Sequence, residues 1–108
     1  MVVNRLDLTG YKAIVMSNGI IIEKEIQDKF LSLNEFNEVL TEFKEAIKEI
    51  AITFEMTIDE DITGNSLYQV DFVKKVLQCG MRKKNIKIKE TEIVPTLKSM
   101  NISVEFDR

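Results

Sequence analysis

The sequence predicts a single α+β domain, a two-layer sandwich in which two helices cover one face of a mostly antiparallel sheet. Apolar residues recur every three or four positions in two segments, which is the spacing of an amphipathic helix. In several other segments they alternate with polar residues, as in strands that bury one face. The chain has 108 residues, 44% of them hydrophobic, which suits one domain spanning 1–108. The predicted order is β-β-α-β-α-β-β.

The first predicted element is a β-hairpin. Apolar runs at 11–16 and 20–26 flank the segment Ser17-Asn18-Gly19. Asn-Gly between two apolar runs is a strong hairpin signal, because both residues tolerate a positive φ. The two runs are therefore expected to pair as neighbouring antiparallel strands.

The first helix is predicted to begin after Ser32. Glu35 follows three positions later, which is the spacing of a capping box, and Leu31 and Phe36 are placed to form a hydrophobic staple. One apolar stripe then continues along the helix: Leu33, Phe36, Val39, Leu40, Phe43, Ile47 and Ile50. This pattern is typical of a helix that packs on a sheet.

The second helix is predicted from Ser66 to Gly80. Ser66 and Gln69 have the capping-box spacing, and Gly80 is a typical C-terminal stop. The apolar stripe consists of Leu67, Val70, Val73 and Leu77. Lysines near its end would be favoured by the helix dipole.

Three further strands are predicted from two-residue alternation. The first places Ile52, Phe54, Met56 and Ile58 on its buried face. The second contains Ile86 and Ile88 and continues through Ile93 and Val94 until Pro95. The third buries Ile102, Val104 and Phe106. These strands complete the sheet that the two helices are expected to cover.

The composition excludes several classes of chemistry. There is no histidine, so the chain cannot form a Ser-His-Asp triad, a Cys-His pair or a histidine-ligated metal site. The single cysteine, Cys79, excludes an internal disulfide and a cysteine-rich zinc site. The glycines at 10, 19, 64 and 80 are isolated, so no glycine-rich phosphate loop is present. We expect a protein without a cofactor and without histidine-based catalysis.

Composition also bears on location and origin. No segment approaches the roughly 20 apolar residues that cross a bilayer, and no signal-peptide pattern is visible. With one cysteine, a reducing compartment is the default, so a cytoplasmic location without membrane contact is expected. Twelve lysines against three arginines suit an AT-rich bacterial or phage genome.

Charge is divided unevenly along the chain. Residues 1–65 carry a net charge of −7, whereas residues 66–108 carry +4. Within the first helix, five glutamates form an acidic ridge: Glu35, Glu38, Glu42, Glu45 and Glu49. Such a ridge complements a basic partner, although a solvated helix face is commoner. The leading hypothesis is a small non-enzymatic accessory or regulatory protein that acts through protein contacts, either with a partner protein or with itself as a homodimer.

The basic stretch supports an alternative function, which is nucleic-acid binding. Between residues 72 and 89 there is no acidic residue, and seven basic ones occur: Lys74, Lys75, Arg82, Lys83, Lys84, Lys87 and Lys89. They would form a phosphate-binding patch at the end of the second helix and on the adjoining strand. Lysines also protect edge strands from aggregation, and the expected open face lacks the aromatics that stack bases.

A second alternative is a carboxylate-based, metal-dependent hydrolase. Asp59, Glu60 and Asp61 precede Gly64 with the spacing of the first half of an EF-hand loop. The twelfth position of that loop is Val70 instead of glutamate, so the calcium motif is incomplete. A magnesium ion held by Asp59 and Asp61 would need no more than these two carboxylates from the protein, although a solvated acidic turn between a strand and a capped helix is the commoner origin of such a cluster.

Overall fold

The computed structural model describes residues 7–17, 19–26, 31–59, 69–71, 75–83 and 89–107. These residues form six strands and two helices, which confirms the predicted α+β class. The strands are β1 Tyr11–Val15, β2 Gly19–Glu25, β3 Thr57–Ile58, β4 Gln69–Asp71, β5 Val76–Arg82 and β6 Ser103–Phe106; the helices are α1 Leu33–Thr53 and α2 Glu90–Ser99. The order along the chain, β-β-α-β-β-β-α-β, differs from the predicted one.

All six strands belong to one sheet, in which the neighbours follow the order β3-β5-β2-β1-β6. β4 also pairs with β5, along Val76 to Gln78, whereas β3 pairs with Met81 and Arg82 farther along the same strand. The pairings are antiparallel except that of β1 with β6, which is parallel. The sheet is therefore mixed and mostly antiparallel, as predicted.

The predicted hairpin is confirmed by β1 and β2. Val15 lies opposite Ile20 and Tyr11 lies opposite Lys24, so the register is continuous along the pair. The backbone N–H of Met16 donates to the carbonyl of Gly19 at 2.9 Å and closes the turn. This register brings Lys24, from the far end of β2, next to the beginning of β1.

The N-terminus of α1 is also confirmed. The backbone N–H of Glu35 donates to the Ser32 hydroxyl at 3.1 Å, and the N–H of Ser32 donates to the Glu35 carboxylate at 3.3 Å. Both bonds of the capping box are present, and they satisfy N–H groups that have no partner within the helix. Phe43, Ile47 and Ile50 are fully buried on the inward stripe.

The strand predicted over Ile52 to Ile58 is wrong for most of its length. α1 continues through Thr53, so Ile52 lies in its last turn with 72% of its surface exposed. Phe54 and Met56 are buried, but the strand itself is confined to Thr57 and Ile58. Alternation was a weak guide here, because the alternating apolar residues are divided among the last turn of α1, its C-cap, the segment that follows it and β3.

α1 ends in a Schellman motif that has glutamate in place of the usual glycine. The N–H of Glu55 donates to the Ile52 carbonyl at 3.2 Å, and the N–H of Met56 donates to the Ala51 carbonyl at 2.8 Å. The motif requires a left-handed residue, and Glu55 has a φ of 54°. Only glycine adopts this conformation without a steric cost.

Replacing Glu55 with glycine is therefore expected to raise the free energy of unfolding by about 1 kcal/mol. Urea unfolding followed by circular dichroism measures the change. Glu38→Gly, at an exposed position inside the same helix, is the matched control and should lower stability by about 1 kcal/mol. A loss of stability in Glu55→Gly would contradict the left-handed C-cap.

The second helix predicted from Ser66 is wrong where the structure describes it. Gln69–Asp71 and Val76–Arg82 form the strands β4 and β5, while Ser66 and Leu67 lie outside the described residues. β5 pairs with β2 over its full seven residues, which gives its backbone groups partners on that side. The valines of this segment favour strands, and Leu77, Cys79 and Met81 alternate inward along β5. The segment therefore forms strands, although the spacing of its apolar residues also fits a helix.

The strand predicted to continue through Ile93 and Val94 is also wrong. Both residues lie in α2, which contains Pro95 and buries Ile93 and Leu97 four positions apart. Glu90 and Glu92 lie in its first turn and Lys98 in its last, where the helix dipole stabilises their charges. Residues 84–88, with Ile86 and Ile88, lie outside the described residues.

The last predicted strand is confirmed as β6, with one correction. Ile102, just before it, is buried and Val104 is partly buried, as the alternation predicts. Phe106 was expected on the buried face but is 43% exposed. It is the last residue of β6, which lies at one edge of the sheet.

Both helices cover the same face of the sheet. α1 connects β2 to β3 across β5, whereas α2 connects β5 to β6 across β2 and β1 in the opposite direction. Because β2 and β5 are antiparallel, two right-handed crossovers place both helices on one side. Burial agrees, since one cluster joins side chains of both helices with Ala13, Ile22 and Leu77 of the central strands. The opposite face carries partly exposed residues, among them Ile14 and Ile21.

Candidate functional site

Cys79 does not supply a reactive thiol at neutral pH. It is 2% exposed at the centre of β5, and its Sγ lies 3.7 Å from the carbonyl of Gly80. Burial raises the pKa of the Cys79 thiol to about 12, and the negative charge of Asp59 acts in the same direction. Because the thiolate is the nucleophile, a neutral buried thiol serves only as part of the core.

Asp59, the one predicted metal ligand that the structure describes, is paired with a cation. Its carboxylate lies 3.6 Å from Nε of Arg82 at the end of β5. Glu60 and Asp61 lie outside the described residues. In the part of the chain that the structure describes, no three residues of the types histidine, cysteine, aspartate and glutamate are grouped to hold a metal ion. The hydrolase hypothesis therefore gains no support from the described geometry.

The described part of the basic stretch is spread over several elements. Lys75 precedes β5 and Arg82 ends it, so strand geometry separates them by about 20 Å. Lys83 follows β5, and Lys89 is the N-cap of α2. Nζ of Lys89 lies 3.8 Å from Oε1 of Glu92. The second helix, whose C-terminal end was predicted to bring these charges together, is replaced by the strands β4 and β5. Lys74, Lys84 and Lys87 lie outside the described residues, so nucleic-acid binding stays a prediction.

The five glutamates of the predicted acidic ridge are all exposed on α1, but the structure gives them different surroundings. Glu35 belongs to the capping box. Glu42, Glu45 and Glu49 border a groove, and Glu38 does not. Within the described residues none of the five forms an ion pair; the pairs found there are Lys12–Glu105, Arg82–Asp59 and Lys89–Glu92. In the described structure these glutamates thus lie beyond ion-pair distance of any lysine or arginine.

The groove lies between α1, the segment 7–11 and Lys24 of β2, with a volume of about 700 Å³. Its charged residues are Asp7, Glu42, Glu45, Glu49, Lys24 and Lys48. Its apolar residues are Leu8, Tyr11, Ala46 and Ile52. Four carboxylates against two lysines give the groove a negative balance. This is the place in the described structure where the predicted acidic residues meet an apolar surface.

Tyr11 forms the aromatic part of the groove. Its ring stacks on Phe43 of α1, with centroids 5.9 Å apart and an angle of 6° between the planes. The ammonium of Lys24 lies over the ring, 4.6 Å from its centroid. Burial, together with the negative charge of Glu42, raises the pKa of Tyr11 to about 12. The phenol is therefore neutral, and its ring can attract a cation.

Asp7 is held at the other side of the groove by its neighbours. Its carboxylate accepts hydrogen bonds from the Thr9 hydroxyl at 2.6 Å and from the Asn101 amide at 3.2 Å. These bonds, that of Thr9 above all, hold the pKa of Asp7 below its usual value. Asp7 is thus a fixed negative charge facing the glutamates of α1.

Sequence reasoning found the glutamates but missed Asp7, Tyr11 and Lys24. The hairpin signal contained part of this information, because a short loop after Val15 sets Tyr11 opposite Lys24. The position of α1 above that pair depends on tertiary packing and had no local signal.

Comparison with known proteins adds no family and no relative. No family model matches the chain, and no curated protein or solved structure is significantly similar to it. In the described residues, neither helix is long and apolar enough to cross a membrane.

Proposed function

We propose that this chain is a small non-enzymatic accessory or regulatory protein that binds a basic segment of a partner protein in the groove beside α1. The observation that carries the proposal is the set of carboxylates Glu42, Glu45, Glu49 and Asp7 around an apolar surface. None of the four forms an ion pair in the described structure. A cytoplasmic location and a bacterial or phage origin, expected from composition, belong to the same proposal.

Electrostatics supports a basic partner. Four carboxylates around one groove repel one another, and a lysine- or arginine-bearing segment would relieve that repulsion on binding. Such charges mainly increase the association rate and the selectivity for basic partners. The apolar contribution would come mainly from Ile52, which is 72% exposed at the edge of the groove, because the other apolar lining residues are largely buried.

The test is charge reversal inside and outside the groove. The triple variant Glu42→Lys, Glu45→Lys and Glu49→Lys changes the groove. The triple variant Glu38→Lys, Glu55→Lys and Asp107→Lys makes the same change in net charge at exposed positions away from it. Partner proteins are captured from a lysate and quantified for each protein at low and at high salt.

We expect the groove variant to reduce recovery of the captured partner by about tenfold or more, since several charge pairs are reversed. The control variant should retain most of the recovery, and added salt should weaken the wild-type complex. Equal recovery with the two variants would contradict the groove as the binding surface.

A second copy of the chain is one candidate partner, because acidic and basic regions are present in the same molecule. Light scattering distinguishes this case. A dimer that dissociates in the groove variant but not in the control would identify the partner as the protein itself.

A further inference from the structure

We infer that Lys24 fills a cation-binding position over Tyr11 and that a lysine or arginine of the partner takes this position on binding. The inference rests on the proposed function and adds which group of the partner binds over Tyr11, namely the cationic end of a lysine or arginine side chain. Lys24 Nζ lies 4.6 Å from the centroid of the Tyr11 ring, within the groove that the acidic residues border.

The position has the features of a cation site. The Tyr11 ring stacks on Phe43, which fixes its orientation, and the ammonium of Lys24 lies over the Tyr11 ring. Tyr11 is only 6% exposed, so the ring is partly removed from water, where a cation–π interaction is stronger. Glu42 lies near enough for its negative charge to affect Tyr11, and the carboxylate of Asp7 lines the same groove. An aromatic face beside carboxylates attracts ammonium and guanidinium groups.

Lys24 is suited to leave this position. Its side chain is partly exposed and forms no ion pair with the described residues, and its ammonium contacts the ring of Tyr11. The backbone of Lys24 is paired with Tyr11 on one side and with Leu77 on the other, so the side chain can move while β2 stays in place. A guanidinium would replace it favourably, because it stacks on aromatic rings and binds carboxylates with two hydrogen bonds.

The experiment compares two lysines of the same groove. Lys24→Met removes the ammonium over Tyr11, and Lys48→Met removes an equal charge from the groove away from the ring. The probe is a short fluorescein-labelled peptide rich in arginine and leucine, and its analogue with citrulline in place of arginine. Fluorescence anisotropy gives the Kd for the wild type and for each variant.

We expect Lys24→Met to bind the arginine peptide about threefold to tenfold more tightly than the wild type, since the internal competitor is gone. Lys48→Met should gain clearly less, and the citrulline peptide should bind weakly to all three proteins. Equal gains in the two variants would mean that only net charge matters, and weaker binding to Lys24→Met would mean that Lys24 assists the partner. Either result overturns the inference.

Variants of the ring test the same point independently. In a Tyr11→Phe background the gain from Lys24→Met should persist, because the ring face remains. In a Tyr11→Leu background it should disappear. Should the leucine variant fail to unfold cooperatively in urea, the comparison of Lys24 with Lys48 still decides the question.

The peptide also separates this inference from the proposed function. If reversing Glu42, Glu45 and Glu49 leaves peptide binding unchanged, the groove is not the binding surface and the proposed function fails. If that variant loses the peptide while Lys24→Met and Lys48→Met behave alike, the groove binds basic segments and only the role of Lys24 is wrong.

Discussion

Phe43→Ala is expected to lower the free energy of unfolding by about 3–5 kcal/mol. Phe43 is fully buried on the inward stripe of α1 and stacks on Tyr11 of β1. Truncation removes its contacts with the sheet and leaves a cavity that rigid strands cannot fill completely. Since a domain of this size is stable by only about 5–15 kcal/mol, the variant would lose much of its stability.

Urea unfolding measures this effect, and Leu33→Ala is the control. Leu33 lies on the same helix but is 76% exposed, so its truncation should change stability by no more than about 0.5 kcal/mol. A loss below about 1 kcal/mol in Phe43→Ala would show that the helix does not pack on β1 as described. The result also bears on the groove, because Phe43 supports the ring over which Lys24 lies.

Gly19→Val should have the second largest effect, a loss of about 3 kcal/mol. A Cβ atom at Gly19 would lie 2.8 Å from the backbone carbonyl oxygen of Met81 in β5. That carbonyl cannot rotate away as a side chain would, so β2 and β5 must separate at this end. Gly19→Ala should already show part of the loss.

Ser17→Ala, an exposed change in the same turn, is the control and should be nearly neutral. Amide hydrogen exchange gives a second measurement. In Gly19→Val the amides of Met81 and Arg82 should exchange faster than in the wild type, whereas those of α2 should change little. Unchanged exchange in β5 would contradict the close approach of the two strands.

Gly19 also shows how a correct prediction can rest on an incomplete reason. The sequence predicted the hairpin because Asn-Gly tolerates a positive φ. Of the glycines that the structure describes, only Gly10 has a positive φ. Gly19 is instead required because β5 approaches its backbone closely, and β5 is far away in sequence.

The sequence by itself determined the elements whose signals are local. The capping box and the long apolar stripe defined most of α1, and the turn at 17–19 defined the first hairpin. Both signals depend on residues a few positions apart, and the structure confirms the α+β class that they predicted. Composition likewise excluded histidine-based chemistry.

Only the tertiary structure decided whether the segment around Val70 and Leu77 is a helix or a hairpin. Its apolar spacing fits either, and pairing with β2 favoured the strands because it satisfies the backbone of β5 along seven residues. The groove has the same origin: Asp7, Lys24 and Glu42 are distant in the chain and meet because the sheet and α1 pack on one core. A local sequence pattern carries no information about such long-range contacts, since they depend on the packing of the whole domain.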